Sequence, residues 1–161
     1  MLEESEKTVW SEYNYKSGLR IDEKVLVALV KASEIYKKDC DTIYKNYGLT
    51  FSQYNVLRVL ANSKGGQNSV TITSKIMLVS GPNMTGVAKR LEKNGFILRK
   101  HDSNDERITI LEITPKGRRV IENIQTAHDE NIANYLEGFS EEDKKGLLEN
   151  LKRLFNNSPL K

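Results

Sequence analysis

Between Phe96 and Ile113 the chain changes its period. FILRKH and RITILEI are rich in β-branched residues and stand on either side of the polar turn DSNDE. Two such runs around a turn form a hairpin. The other apolar segments repeat at three- and four-residue steps, which is the helical period. A single hairpin set into a helical chain admits few folds, and what precedes it decides among them.

Three short helices precede it. Thr50-Phe51-Ser52-Gln53 has the form of a capping box and opens a helix with Val56, Leu57, Leu60 and Ala61. The loop SKGGQNS closes it. A short helix follows Val70, with Ile72, Ile76 and Met77 expected inward, and VSGP (Val79 to Pro82) breaks it. Pro82 suits the first position of the next helix, whose Met84, Val87, Ala88 and Leu91 fall at i, i+3, i+4 and i+7. Asn94-Gly95 stops it.

Longer helices flank this block. Val25, Leu26, Leu29, Ala32, Tyr36, Cys40, Ile43 and Tyr47 mark one stripe over about seven turns, ended by Gly48. After the hairpin, Thr114 caps and Pro115 opens a helix carrying Val120, Ile121, Ile124, Ala127, Ile132, Tyr135 and Leu136, ending at Gly138. Ser140 to Asp143 caps a last helix with Leu147, Leu148, Leu151, Leu154 and Phe155.

Three compact helices followed by a hairpin make a winged helix-turn-helix. The expected fold is mainly α, with a small β-hairpin wing and long N- and C-terminal helices forming a dimerisation lobe. The long helices carry more apolar surface than so small a core covers, and a two-fold homodimer closes it most simply. The expected divisions are an N-terminal arm (1–20, with Trp10, Tyr13 and Tyr15), a dimerisation helix (21–48), the winged helix-turn-helix (49–117) and C-terminal dimerisation helices (118–161).

Composition narrows the setting. The longest apolar run, VLVALV from Val25, is far short of the roughly 20 residues of a membrane span. MLEESEKTVW is not a signal peptide, and Cys40 alone excludes an intrachain disulfide framework. A cytoplasmic protein without membrane contact is expected. From Lys75 to Arg119 there are ten Lys/Arg against five Asp/Glu, leaving −2 for the rest of a chain whose net charge is +3. A basic middle between mildly acidic ends is a footprint for a polyanion, though uneven solvated charge gives the same count.

The helix from Pro82 to Asn94 is the candidate reader. Its outward residues are Asn83, Thr85, Gly86, Lys89, Arg90 and Lys93, with Ser80 just before it. Small polar groups and open backbone N–H groups at its start suit base edges and phosphate, and the lysines and arginine suit phosphates along a major groove. Gly86 allows close approach of backbone to DNA. Thr71, Ser74 and Lys75 on the supporting helix, and Arg99, Lys100 and His101 at the wing base, are candidate phosphate contacts. At the wing tip Arg107 suits a narrow minor groove, and Asp105 two positions earlier can hold its guanidinium in a charge-assisted fork.

The stretch LTFSQYNVLRVLA through SGPNMTGVAKRLEKNGFILRKHDSNDERITILEITPKG resembles the MarR-type transcriptional regulators. Asp105-Glu106-Arg107 matches the family's Asp-x-Arg wing, and Ile113-Thr114-Pro115-Lys116-Gly117 its Leu-Thr-x-x-Gly strand end. The resemblance implies a homodimeric repressor or activator, with a repressor the preferred reading, on a pseudo-palindromic operator, with Arg107 as wing arginine and Asp105 as its clamp. Two departures stand out. Glu106 occupies a place where many members have a second arginine, and Ser103-Asn104 replaces a proline-containing turn.

The resemblance also implies release by a small, often phenolic or anionic, effector held between the DNA-reading and dimer lobes. Tyr36, Tyr44, Tyr54 and Met77 are candidates to line such a site, and each is equally at home in a core. Redox response through Cys40 is an alternative, weakened by its place in an apolar stripe. His128 is expected on the polar or interfacial side of its helix and His101 on the wing surface. Neither belongs to a metal-ligand spacing, and no cofactor is expected. No phosphate loop or nucleophile elbow marks an enzyme. A winged helix that binds protein instead of DNA is the remaining rival, and it would show an apolar reader face.

Overall fold

The computed structural model describes residues 18–158; Trp10, Tyr13 and Tyr15 of the expected arm lie outside them. In order the elements are α1 (Ile21–Lys45), α2 (Phe51–Ala61), β1 (Gln67–Ser69), α3 (Val70–Met77), α4 (Gly81–Lys93), β2 (Ile97–His101), β3 (Thr109–Ile113), α5 (Pro115–Tyr135) and α6 (Glu141–Asn156). A short 3-10 turn spans Lys64–Gly66. The described residues divide into two compact units between Lys38 and Asp39, inside α1.

Local chemistry sets most boundaries. Thr50 accepts from the Gln53 N–H (3.3 Å) while Gln53 Oε1 accepts from the Thr50 N–H (2.8 Å), the reciprocal capping box. Ser140 and Asp143 repeat the arrangement at α6. Ser80 is the N-cap of α4, which begins at Gly81, one residue ahead of Pro82. Thr114 caps α5 by accepting from the Gly117 N–H (3.1 Å) and donates to the Gly95 carbonyl (2.8 Å), pinning the α5 start to the hairpin base. Gly48 and Gly138, at φ of +72° and +80°, take the left-handed turn after α1 and α5.

The core of the larger unit joins Val56, Leu57 and Leu60 of α2, Met84, Ala88 and Leu91 of α4, and Phe96, Ile97, Leu111 and Ile113 of the hairpin, all buried. The sheet has the order β1-β3-β2, both pairs antiparallel. In the register, Arg99 faces Leu111 and Ile97 faces Ile113, while Lys100 and Ser69 both face Ile110. Buried Ile97, Leu111 and Ile113 line the inner face; Leu98, Lys100 and Ile110 alternate outward.

Three features differ from the sequence expectation. The loop SKGGQNS ends in a third strand, β1, which has no β-branched residue to announce it; β3 offers an open edge and Gln67–Ser69 pairs along it. In α3 the inward residue is Thr73, whose hydroxyl donates to the Ser69 carbonyl at 2.8 Å, while Ile72 and Ile76 are about half exposed. Eight residues with apolar side chains on two faces are too few to choose a face from periodicity. His128 is buried, not polar-side: its Nδ1 meets the Tyr44 hydroxyl at 2.8 Å.

Candidate nucleic-acid interface

The reader helix α4 buries Met84, Ala88 and Leu91 and leaves Asn83, Lys89, Arg90 and Lys93 exposed. Thr85 is half-buried, and its hydroxyl donates to the Gly81 carbonyl at 3.0 Å. Ser80 makes no capping hydrogen bond with its own side chain. A Cβ built at Gly86 would meet nothing closer than Arg90 Nη2 at 3.8 Å. Lys89, Arg90 and Lys93 enter no ion pair among the described residues, so the outer flank of α4 keeps its positive charge.

The wing is a short, polar loop tied to itself. Asp102 Oδ1 accepts from the Asn104 N–H (2.9 Å) and the Asp105 N–H (3.3 Å), turning the chain. Asp105 then holds Arg107 three times: Oδ1 accepts from the Arg107 N–H (3.0 Å) and Nε–H (2.9 Å), and Oδ2 from Nη2 (3.1 Å). Those bonds draw the Asp105 carboxyl below its usual range and raise the Arg107 guanidinium further. The Arg107 side chain is nevertheless 91% exposed. It is ordered and presented, with no neighbour to bury it.

Glu106 acquires a backbone role here. Its carbonyl accepts from His101 Nδ1–H at 2.7 Å, joining wing tip to wing base, while its carboxylate stays exposed. Lys100 Nζ donates to Glu112 Oε2 at 2.6 Å on the outer face of the sheet. Arg99, beside it at the wing base, is held by Glu92 of α4, which accepts from both its backbone N–H and its Nε–H. On α3, Thr71 and Lys75 are exposed, and Ser74 donates to the Thr71 carbonyl at 2.9 Å. The wing, the reader helix and α3 therefore belong to one unit that carries most of the sequence-derived DNA candidates.

The effector candidates are differently placed. Tyr44 and Tyr54 are stacked at 4.2 Å between ring centroids, and each lies near the His128 ring. Both are fully buried, so in this structure they form core. Burial raises the Tyr54 hydroxyl above its usual range and lowers the His128 imidazole, which Arg58 disfavours further when charged. Met77 on α3 and Tyr36 on α1 are each half-buried. Cys40 has no exposure and is touched at Sγ by Asn131 Nδ2 (3.5 Å); nearby, the Tyr135 hydroxyl donates to Asp39.

Sequence reasoning missed two residues. His128 lies one turn beyond Ile124, on the α5 stripe, and that spacing was the available signal. Glu92 is the sole acid on a cationic helix, which marks it as unusual but does not reveal its partner.

A polar, cationic reader helix beside a hairpin tipped by an ordered arginine defines a winged helix-turn-helix of the DNA-binding kind. Comparison with known proteins agrees. Residues 36–124 match the family model described as transcriptional regulator SarA/Rot. The HTH-type transcriptional regulator MhqR of Bacillus subtilis is 33% identical over 135 residues, 82% of this chain and 92% of that protein. The chain belongs to the MarR-type winged-helix transcriptional regulators, within reach of the SarA/Rot group, and is not an enzyme. Two solved folds superpose closely. Streptomyces coelicolor Sco3205, determined in complex with DNA, gives a TM-score of 0.79 at 21% identity, over 87% of this chain and 89% of that one. Bordetella bronchiseptica BpsR, whose DNA binding is regulated by 6-hydroxynicotinic acid, gives 0.73 at 21% identity, over 81% and 98%. No helix among the described residues is long and apolar enough to cross a membrane.

Proposed function

We propose that the chain is a homodimeric repressor that binds a pseudo-palindromic operator and is released by a small phenolic or anionic effector. α4 enters the major groove, with Ser80, Asn83, Thr85 and Gly86 toward base edges and Lys89, Arg90 and Lys93 toward phosphates. Arg107 enters the adjoining minor groove. Thr71, Ser74, Lys75 and Lys100 touch or steer backbone and carry no sequence information.

The observation that carries this reading is the Asp105–Arg107 fork, an arginine fixed three ways yet left 91% exposed. Exposed ion pairs add little stability, so the arrangement is better understood as presentation than as folding. A homodimer accounts for the apolar side chains left open on α1 (Ile21, Val25, Val30) and on α6 (Leu147, Leu148, Phe155). The effector part leans on the likeness to BpsR and on the family resemblance. A reader face of polar and cationic residues weighs against a protein-binding winged helix, and the complete burial of Cys40 weighs against redox control.

The experiment is a fluorescence titration of DNA flanking the protein's own gene over a range of salt. Salt-dependent binding is expected, with two protected half-sites in a footprint of the same DNA, and weakened by Arg107→Ala and by Asp105→Ala with unchanged melting. Clean folding with binding that is absent or insensitive to salt would select the protein-binding rival.

A further inference from the structure

Glu92 is the only acidic side chain on α4, and it stands one residue from the helix C-terminus. Both facts count against it. The carboxylate meets the negative end of the helix dipole, and beside Lys89, Arg90 and Lys93 it subtracts from the attraction to a polyanion. Its contacts supply a reason for its presence. Oε2 accepts from Arg99 Nε–H at 2.7 Å, and Oε1 accepts from the Arg99 backbone N–H at 3.2 Å.

β2 is an edge strand in the order β1-β3-β2, so an amide that points away from β3 has no strand to receive it. The Glu92 carboxylate takes that place. One acid on the reader helix thus holds both the main chain and the side chain of a wing residue seven positions later, in a half-buried pair. Charge-assisted bonds of this kind are among the stronger ones. The hairpin base is already tied to α4 by the Phe96 N–H to the Leu91 carbonyl, at 2.9 Å. Glu92 adds a second tie three residues further along. One anchor fixes a position; two fix a direction.

We infer that Glu92 is a positioning residue that sets the angle of the wing to the reader helix, so that both enter DNA as one rigid pair of arms. This rests on the DNA-binding reading above. Two linked contacts reinforce each other only when their relative geometry is preset; a loose wing must be ordered at the moment of binding, and its arginine then contributes less.

The test is a double-mutant cycle, read by titration of a labelled operator fragment. Arg107→Ala is made in the parent and in Glu92→Ala. In the parent its effect is expected to be about tenfold or more, and in the Glu92→Ala background less than about threefold, a coupling of the usual size for residues that act together. Glu92→Gln keeps an oxygen for the Arg99 N–H and should fall between them. An Arg107→Ala effect of equal size in all three backgrounds would overturn the inference, since a merely structural role leaves that ratio unmoved. Amide exchange without DNA provides a second readout. Arg99 and its neighbours in β2 should exchange faster in Glu92→Ala and Glu92→Gln while the α2 core keeps its protection; unchanged exchange at Arg99 also overturns it. If the parent binds no DNA, the functional reading fails, and exchange alone decides whether Glu92 fixes the wing.

Discussion

Gly86→Ala should raise the stability of this protein and lower its affinity for DNA. Gly86 lies within α4, its φ is not in the left-handed region, and outside its own helix backbone and chain neighbours the nearest atom to a Cβ there would be Arg90 Nη2 at 3.8 Å. Nothing among the described residues requires a glycine there. In a helix interior alanine is favoured over glycine by roughly 1 kcal/mol, chiefly because the unfolded chain loses freedom. For a chain of this length that corresponds to a melting point higher by about 2–4 °C. On the DNA side the sign reverses. Gly86 follows Thr85 on the outward side of the reader helix, and an added methyl must displace groove wall or backbone. One surplus methyl at a packed contact costs roughly 1–3 kcal/mol, equivalent to about 5- to 150-fold in affinity. The assays are a thermal melt and an operator titration on the same preparation. A raised melting point with unchanged affinity would remove Gly86 from the contact surface. A lowered melting point would refute the propensity argument itself.

Gly117→Ala is the contrasting case: its Cβ would collide with the Phe96 carbonyl oxygen and lie 2.8 Å from Ile113 Cγ1, and that same carbonyl accepts from Thr114 N–H at 3.0 Å. Overpacking plus a weakened hydrogen bond predicts a loss of about 2–4 kcal/mol in urea unfolding, and parental stability would contradict the packing described. Glu106→Arg should tighten DNA binding and steepen its salt dependence by about one unit, with melting within about 0.5 kcal/mol of the parent because only the Glu106 carbonyl is engaged in the fold. An unchanged salt slope would place this side chain away from phosphate. His128 is held below its ordinary 6.5, first by burial and then by Arg58, so the native state keeps it neutral. Above about pH 6.5 its contribution is constant; as pH falls below that, the unfolded chain takes up a proton that the fold resists, and stability declines toward the folded pKa. Urea midpoints should therefore drop as pH falls below about 6.5, by less in His128→Gln; an equal drop in both proteins would assign the acid sensitivity elsewhere.

Local rules made much of the architecture legible in the sequence. Thr50 with Gln53, Ser140 with Asp143 and Thr114 with Pro115 fix helix starts through bonds spanning three residues, and such bonds form wherever the residues occur. The outward list of α4 followed from its period, because Met84, Ala88 and Leu91 leave only one face to bury. The Asp105–Arg107 fork was readable too, since two positions along a turn keep both groups within reach.

What the sequence could not decide lies in contacts between residues far apart in the chain. β1 exists because β3 offers it an edge, and no property of Gln67-Asn68-Ser69 announces that. The inward face of α3 is chosen by its neighbours, which bury Thr73 and leave Ile72 and Ile76 out. His128 is a core residue because Tyr44, 84 positions earlier, supplies the partner that makes its burial tolerable. Glu92 and Arg99 make the sharpest case. As letters they were one acid passed over and one candidate phosphate contact, and only the packing of an edge strand against a helix end joined them. Periodicity and capping act over one or two turns, so they determine elements and faces. Which elements meet, and which side chains therefore hold one another, is set by the three-dimensional arrangement that buries the most apolar surface while leaving each polar group a partner.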